Sequence, residues 1–333
     1  MEDVGAAVSH VLNRLPEIPF WPQFPRIGFY EQMVPQYCEG FPGIVEDTVT
    51  ERVYVDAGRA LSDLEGFYEK EMAGDIAAFG ITPSHAVGLV PWMQELRRRR
   101  PSALACVKGH VTGPVTFGFT VKDETGAAIF YDPNFADVVI RLIAMKALFQ
   151  INLFQEFQVP TIIFLDEPYM AAFGTTGMNI SRDEVVGAVD RVVEKIREAG
   201  GIAGIHCCGN TDWSILFETQ VDIVNFDAYD YMDKMSLYPE QISAFLDRGG
   251  NLAWGLIPTS PEAKEETAAS LVKRFHSGVD RLVRLGVDQE KLLRQCLVTP
   301  ACGMGSISEA AALRNLAVLQ ELSSLLRTQH AAP

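Results

Sequence analysis

The 333-residue sequence lacks the features that mark membrane-spanning, secreted and fibrous proteins. No stretch approaches the roughly 18 uninterrupted apolar residues that a membrane-spanning helix needs, and no repeat or low-complexity block interrupts the chain. Residues 1–4 carry acidic charge where a signal peptide carries basic charge. These absences predict a soluble, cytoplasmic, globular protein, and we expect no membrane partner.

Basic residues and cysteines are both scarce. The chain has 28 Lys and Arg against 43 Asp and Glu, a net charge of -15, so its averaged field repels nucleic-acid phosphates and anionic lipids. Nucleic acid is therefore not an expected partner. Six cysteines in a chain of this length are too few for a disulfide framework. We expect reduced thiols, some of which could bind a metal.

The chain does contain a regular alternation of two hydrophobic patterns, short apolar runs and longer stretches of helical period. The apolar runs cover residues 18–24, 85–90, 103–111, 161–166, 202–208, 222–227, 251–256 and 295–299. The helical patterns cover residues 46–78, 135–157, 182–199, 239–248, 261–285 and 307–326. Eight strands separated by helices predict an α/β fold, a single (β/α)8 TIM barrel. We expect one domain over residues 1–333, with residues 1–50 as an N-terminal extension and entry loop.

The strongest local signal for chemistry lies at the end of the fifth predicted strand, where His206 and Cys208 alternate with Cys207. Side chains at i and i+2 of a strand share a face. His206 and Cys208 should therefore point together, and Cys207 should point toward the helical layer. An imidazole and a thiol side by side form half of a zinc site. Taken singly, each residue is better explained by a hydrogen-bonded or buried structural role, and only the set taken together favours metal ligation.

A third candidate ligand, Cys302, follows the eighth predicted strand, in a loop marked by Pro300 and Gly303. Its distance along the chain from Cys208 is too long for a zinc finger, so the fold itself would have to assemble the site. Barrel enzymes build their sites in this way, from the carboxyl ends of several strands. Asp227, at the end of the sixth strand, is a candidate fourth ligand through oxygen.

Two adjacent acids, Asp166 and Glu167, end the fourth predicted strand. Because they point to opposite sides, Asp166 is the candidate to bind a cationic group such as an α-ammonium, and Glu167 is expected to support a loop or cap the next segment. Both could instead be solvated loop acids. At the end of the third strand, Thr112 and Thr116 flank a turn at Gly113 and offer hydroxyls.

Read together, these passages resemble the catalytic half of the cobalamin-independent methionine synthases, in the superfamily that also holds uroporphyrinogen decarboxylase and the methylcobalamin:coenzyme M methyltransferases. The matching motifs are KGxxTGPVT at residues 108–116, DEP at 166–168, His-x-Cys at 206–208 and PxCG at 300–303, with a weaker echo of the entry motif at 21–26. The resemblance covers most of the chain. It implies a zinc methyltransferase with a TIM-barrel fold.

The resemblance also implies roles for single residues. Zinc would be held by His206, Cys208 and Cys302, with Asp227 in place of the Glu that the family uses. Asp166 would hold the amino group of homocysteine.

Further substrate contacts are expected at Gln23, Thr112 and Glu39. The family's other amino-binding Glu has no clear match here, and Glu39 and Glu46 are both candidates.

The methyl donor is expected to differ from that of the two-barrel synthases, which use a methyl-folate. A single barrel resembles the short, core form of the enzyme, and implies methylcobalamin or a methylated corrinoid carrier protein as the donor. In this reading zinc binds the homocysteine thiol as a thiolate. The ligand charges of Cys208, Cys302 and Asp227 would keep that sulfur electron-rich.

Three other interpretations stay open on the sequence alone. A coenzyme M methyltransferase is the nearest, although Asp166 argues for a thiol that carries an ammonium. A uroporphyrinogen decarboxylase-like barrel would use no metal and would bind a polycarboxylate, which suits Arg26 but leaves the metal ligands without a role. A non-enzymatic barrel with a structural zinc would keep the ligands without turnover.

Overall fold

The computed structural model describes residues 3–260 and 266–330. The chain forms two compact units, Met1–Ala203 and Gly204–Pro333. The strands in the described residues are β1 (Ile44–Asp47), β2 (Arg52–Val55), β3 (Val107–Thr112), β4 (Lys122–Asp123), β5 (Thr161–Asp166), β6 (Ile202–Cys207), β7 (Ile223–Phe226), β8 (Asn251–Ile257) and β9 (Cys296–Pro300).

Twelve α-helices accompany these strands within residues 3–260 and 266–330. They are α1 (Val4–Arg14), α2 (Ala57–Met72), α3 (Leu89–Arg99), α4 (Pro114–Thr120), α5 (Pro133–Phe154), α6 (Arg182–Glu198), α7 (Trp213–Glu218), α8 (Met232–Met235), α9 (Pro239–Asp247), α10 (Ala268–Arg284), α11 (Gln289–Arg294) and α12 (Glu309–His330). None of the helices that the structure describes is long and apolar enough to cross a membrane.

The first unit is built around two parallel strands, β3 and β5, which pair from Val107 opposite Thr161 to Thr112 opposite Asp166. The long helix α5 packs on β3 and on α6. It begins at Pro133, where the side chain of Asp132 accepts from the N–H groups of Asn134 and Phe135. A separate small sheet contains the antiparallel pair β1 and β2, with β4 parallel to β2. The register of β3 and β5 brings the carboxyl ends of both strands to the same edge.

The second unit holds a parallel ladder, in which β7 lies between β6 and β8, and β9 pairs with the other side of β8. Strands β6, β7 and β8 are almost wholly buried, as strands covered on both faces should be, whereas β9 is half-buried. Trp254 of β8 fills the space between Phe226 and Phe275 of α10, with ring centroids 5.5 and 5.0 Å away. This packing fixes the strand ends that carry the polar residues.

Six of the eight expected strands are confirmed, those now named β3 and β5 to β9, although β3 begins at Val107 instead of residue 103. The expected strand at 18–24 is wrong. Its backbone makes only an isolated bridge, from Phe20 to Lys108, because Pro19 and Pro22 have no N–H to donate to a ladder.

The expected strand at 85–90 is also wrong. His85 lies in a turn, and α3 begins at Leu89. The apolar residues that suggested a strand belong to a helical spacing, since Leu89, Trp92 and Leu96 form the buried face of α3.

The helix expected over 46–78 is confirmed only in its later part. Its first residues belong to the hairpin of β1 and β2, which the sequence analysis missed. The side chain of Asp47 closes that hairpin by accepting from the N–H groups of Val49 and Thr50, and α2 begins at Ala57. Apolar spacing alone does not report such a turn.

The other five expected helices are confirmed as α5, α6, α9, α10 and α12, with shifted ends. The start expected for α10, residues 261–265, lies outside the described residues.

The alternation of parallel strands with helices confirms the α/β class. The closed eight-stranded barrel and the single domain stay predictions, since the described residues contain six parallel strands of that kind.

Candidate metal centre

The second unit brings together three side chains that are far apart in sequence. His206 is the penultimate residue of β6, and Cys208 directly follows that strand. Cys302 lies two residues after β9. Their ligand atoms, an imidazole nitrogen and two sulfurs, all lie within 4.8 Å of one another. Cys207 is not part of the cluster, and its thiol donates to the carbonyl of Gly209 instead. The alternation of β6 therefore separates the two adjacent cysteines as expected.

Asn225 fixes the orientation of the imidazole. It lies beside His206 in the ladder between β6 and β7, and its side-chain oxygen is 2.6 Å from Nδ1 of His206. The amide nitrogen of Asn225 donates to the carbonyl of Ala253 and to Oγ1 of Thr299. Because the amide nitrogen is used in this way, the oxygen must accept from Nδ1–H of His206. The lone pair of a neutral His206 then lies on Nε2.

Cys302 and Cys208 interact as hydrogen-bonded thiols. The hydrogen bond with Cys208 raises the pKa of the Cys302 thiol and burial raises it further, while His206 opposes both effects. A half-buried pair of thiols holds protons that a cation can replace. One imidazole and two thiols are the donor types that zinc prefers in proteins. The residues present therefore fit a zinc ion.

A close approach between strands positions the Cys302 loop. A methyl group on Gly255 of β8 would lie 2.6 Å from the carbonyl oxygen of Phe226 and 2.8 Å from Cα of Ala301. The N–H of Ala301 donates to the carbonyl of Ile257 at 2.8 Å. Only glycine at position 255 lets the backbone before Cys302 lie against β8.

Asp227, the expected fourth ligand, follows β7 but is not among the clustered ligand atoms. Its Oδ1 accepts from the N–H groups of Tyr229 and Asp230, which closes a turn. Burial raises the pKa of Asp227 to about 6, with those backbone bonds opposing the shift. Its role as a ligand stays a prediction.

Asp166 ends β5 in the first unit, where Lys108 is its cationic neighbour. The ammonium of Lys108 lies 4.3 Å from the centroid of the Phe164 ring. Burial lowers the pKa of Lys108, and the negative charge of Asp166 partly restores it. The sequence analysis quoted Lys108 within a motif but gave it no role. Asp166 therefore interacts with a cation of the chain itself.

The other residues expected to bind substrate already have partners within the protein. Thr112 donates to the carbonyl of Met33, and Gln23 donates to the side chain of Gln36. Glu39 accepts from both the N–H and the hydroxyl of Thr82. Contact between these three side chains and a substrate stays a prediction.

Glu167 supports the turn after β3, which confirms the expectation for this residue. Its carboxylate is fully buried and accepts from the N–H groups of Val115 and Thr116 and from the Thr116 hydroxyl. Burial raises the pKa of Glu167 to about 7, although these hydrogen bonds oppose the shift. A methyl group on Gly113 would lie 2.2 Å from Oε1 of Glu167.

Asn225 is the residue at this centre that sequence reasoning missed. The available signal was an amide inside the otherwise apolar strand Ile223–Phe226, because a buried polar side chain needs a partner. The identity of that partner depends on the pairing of β6 with β7, which cannot be read from the sequence.

Comparisons with known proteins inform the fold. No protein-family model matches the sequence, and no curated protein matches it. Among solved structures, a B12-independent methionine synthase from Shewanella sp. W3-18-1, in complex with selenomethionine, aligns with a TM-score of 0.50 and 18% identity over 73% of this chain and 68% of that one.

A second structure, the 3-keto-D-glucoside 4-epimerase of E. coli in its apo form, aligns with a TM-score of 0.38 and 10% identity, over 72% of this chain and 84% of that one. The first match shows that this chain shares the fold of a methionine synthase over most of its length.

Proposed function

We propose that the protein is a zinc-dependent methyltransferase that moves a methyl group from a methylcorrinoid to the thiol of homocysteine, which forms methionine. The observation that supports this most strongly is the convergence of His206, Cys208 and Cys302 in a chain that shares the fold of a methionine synthase. We also infer that the fold derives from a (β/α)8 barrel and that the protein is cytoplasmic.

The cluster suits the activation of a thiol. Zinc bound there would supply the positive charge that keeps an acceptor thiol ionised near neutral pH, where a free thiol is mostly protonated. Cys208 and Cys302 would contribute two negative charges and His206 none, so an acceptor sulfur would remain electron-rich. Asn225 holds the imidazole of His206 in one tautomer. Asp227 remains the proposed fourth ligand.

Asp166 is the proposed partner for the acceptor's ammonium group, by resemblance to the family's DEP motif. A carboxylate beside a buried cation can accept further charged hydrogen bonds. Gln23, Thr112 and Glu39 are kept as proposed further contacts with the substrate.

The methyl donor in this proposal is methylcobalamin, either free or on a corrinoid carrier protein. It rests on the resemblance to the core form of the enzyme. The thiolate would attack the methyl carbon, and the cobalt–carbon bond would break with its electron pair remaining on cobalt.

A second acceptor, coenzyme M, is favoured by one observation. Lys108 places an ammonium beside Asp166, and a sulfonate could pair with that ammonium where a homocysteine ammonium would pair with Asp166. Both thiols therefore belong in the assay.

The test is an assay on purified wild-type protein and two cysteine variants. Bound zinc is measured first, and thiol methylation is then followed with methylcobalamin and either homocysteine or coenzyme M. Cys302→Ser removes one proposed ligand. The matched control is Cys296→Ser in β9, whose thiol donates to the carbonyl of Leu293 and lies outside the cluster.

The proposal expects homocysteine methylation by the wild type and by Cys296→Ser. In Cys302→Ser it expects the loss of activity and of the zinc ion bound at the cluster of His206, Cys208 and Cys302. Methylation of coenzyme M without methylation of homocysteine would contradict homocysteine as the acceptor and identify coenzyme M instead. Full methylating activity in Cys302→Ser would overturn the proposal.

A further inference from the structure

A second cluster of metal-ligand types lies in the first unit, where Cys38, Glu46 and His85 converge. Their ligand atoms, a sulfur, a carboxylate oxygen and an imidazole nitrogen, all lie within 4.8 Å of one another. We propose that this cluster is a second metal site, which binds a divalent ion of the zinc class independently of His206, Cys208 and Cys302. The proposal goes beyond the methyltransferase function and does not depend on it.

One carboxylate oxygen is the meeting point of the three groups. The Cys38 thiol donates to Oε1 of Glu46 at 2.9 Å, and Nε2 of His85 lies 2.9 Å from the same oxygen. Cys38 is fully buried and His85 is 4% exposed. A tetrahedral zinc ion holds its ligand atoms about 3.5 Å apart, so these contacts need to widen by only about half an ångström.

The groups around Nδ1 of His85 influence which ring nitrogen carries the lone pair. The Thr82 hydroxyl, which donates to Oε1 of Glu39, lies 2.9 Å from Nδ1 of His85 and can accept from Nδ1–H. The Ser84 hydroxyl lies 3.2 Å from the same nitrogen. Oε2 of Glu39 lies 3.3 Å from the same nitrogen. A histidine whose Nδ1–H is held by a hydroxyl and a carboxylate presents the lone pair of Nε2, the arrangement that orients metal-binding histidines.

When Nδ1 carries the hydrogen, the lone pair of Nε2 faces the carboxylate of Glu46, and two such acceptors at hydrogen-bond distance repel each other. Either a hydrogen on Nε2 or a metal ion between the two groups removes that repulsion. The nearby thiol of Cys38 favours the metal, because a thiolate adds a soft ligand that a proton does not use.

The charges around the cluster suit a divalent ion. The two charges of the ion would be matched by the thiolate of Cys38 and the carboxylate of Glu46. The buried ammonium of Lys146 donates to the carbonyl of Gly80 and remains to balance Glu39. Burial lowers the pKa of Lys146 to about 8, and the neighbouring Glu39, Cys38 and Glu46 oppose that shift. The charges of the ion, Cys38, Glu46, Lys146 and Glu39 thus sum to zero.

The loop that joins two of the ligands is held by contacts outside the cluster. Gly43 adopts a φ of 68°, and a methyl group there would lie 2.5 Å from the carbonyl oxygen of Asp56. Its carbonyl accepts from the N–H of Asp56 at 2.9 Å, and its N–H donates to Asp63. Cys38 and Glu46 are therefore positioned before any ion binds, which lowers the entropy cost of binding.

Binding the ion displaces the thiol hydrogen of Cys38 and any hydrogen that Nε2 of His85 carries. The S–H bond of Cys38 breaks, its proton passes to the buffer, and sulfur keeps the electron pair that binds the metal. Nothing is oxidised or reduced. Zinc is the ion that best matches one sulfur, one nitrogen and one oxygen ligand.

The experiment counts metal ions in the full-length protein. Metal-free protein is loaded with Zn²⁺, freed of excess ion and analysed for zinc per chain, and a parallel Co²⁺ titration reads thiolate ligation in the near-ultraviolet spectrum. The variants are Cys38→Ser, His85→Gln and Cys302→Ser. Cys106→Ser is the control, since Cys106 is a half-buried thiol outside both clusters.

We expect two zinc ions per chain in the wild type and in Cys106→Ser, and one in Cys38→Ser, His85→Gln and Cys302→Ser. One ion in the wild type that Cys38→Ser and His85→Gln both retain would overturn the inference.

If Cys302→Ser keeps its full zinc content while Cys38→Ser loses an ion, the first metal centre fails and this one stands. The Co²⁺ titration of the wild type keeps the test decisive if a variant does not fold. Two binding steps that both raise thiolate absorption support the second site, and a single step contradicts it.

Discussion

Nδ1 of His206 lies 2.6 Å from the side-chain oxygen of Asn225, and the two residues are direct neighbours in the ladder between β6 and β7. The amide of Asn225 is in turn held by the carbonyl of Ala253 on β8. The orientation of one candidate ligand is thus set by three adjacent strands. Such support determines how well a metal site is pre-formed.

Removal of the acceptor on Asn225 should weaken metal binding at the His206 cluster. Asn225→Leu leaves Nδ1–H of His206 without its partner, and we expect zinc affinity at that site to fall about 10- to 100-fold. Competition with a chromophoric chelator measures the affinity. Asn225→Asp is the control, because a carboxylate still accepts from His206 and should preserve most of the affinity. Equal affinities of Asn225→Leu and the wild type would contradict the assigned role.

A methyl group at Gly255 should disturb both the fold and the centre. Gly255→Ala would force β8 away from the backbone at Ala301, and we expect a loss of about 1–3 kcal/mol in the free energy of unfolding together with weaker zinc binding. Urea unfolding and zinc content are the measurements. Gly187→Ala, on an open face of α6, should leave zinc content unchanged and raise stability slightly. A Gly255→Ala variant as stable as wild type would contradict the close approach.

Glu167 should make stability depend on pH. Its pKa in the folded state is raised to about 7 from an ordinary value of 4.5, so the folded state binds more protons than the unfolded state between those values. Its contribution to stability is therefore full below about pH 4.5 and is lost as the pH rises through 7, with a slope of at most about 1.4 kcal/mol per pH unit.

Urea unfolding at a series of pH values measures this effect as the difference between the wild type and Glu167→Gln. The variant should lose the slope, and it should also be less stable because Thr116 N–H loses its acceptor. Glu240→Gln, at an exposed site, should keep the slope of the wild type. Parallel pH profiles for the wild type and Glu167→Gln would show that the carboxyl of Glu167 is not the titrating group.

Asp166 should determine the preference for thiols that carry an ammonium group. If the proposed function holds, Asp166→Asn should lower kcat/KM for homocysteine about 10- to 100-fold, the effect of one lost charged hydrogen bond. It should leave 4-mercaptobutyrate, which lacks the amino group, almost unaffected. Zinc content should not change. The control is Asp183→Asn, an exposed acid of α6 in the same unit. A uniform loss for both thiols would remove Asp166 from ammonium recognition.

The sequence located the apolar segments that do form strands, but it did not identify the apolar segments in which prolines or a turn prevent a strand. Residues 161–166 and 251–256 were found because each is apolar on both alternations. Residues 18–24 and 85–90 have similar hydrophobicity. In these segments the prolines and the start of α3 determined the structure. Hydropathy indicates which segments are buried, but it does not show whether their backbone forms the hydrogen bonds of a strand.

The sequence by itself determined that His206 and Cys208 share a face and that Cys207 does not, because strand alternation is a local property of the backbone. It also made Cys302 a candidate through the loop that surrounds it. Only the tertiary structure decided that Asn225 orients His206 and that Cys38, Glu46 and His85 meet at one point. Those contacts join segments distant along the chain, and their geometry depends on strand register and loop packing, which no local pattern encodes.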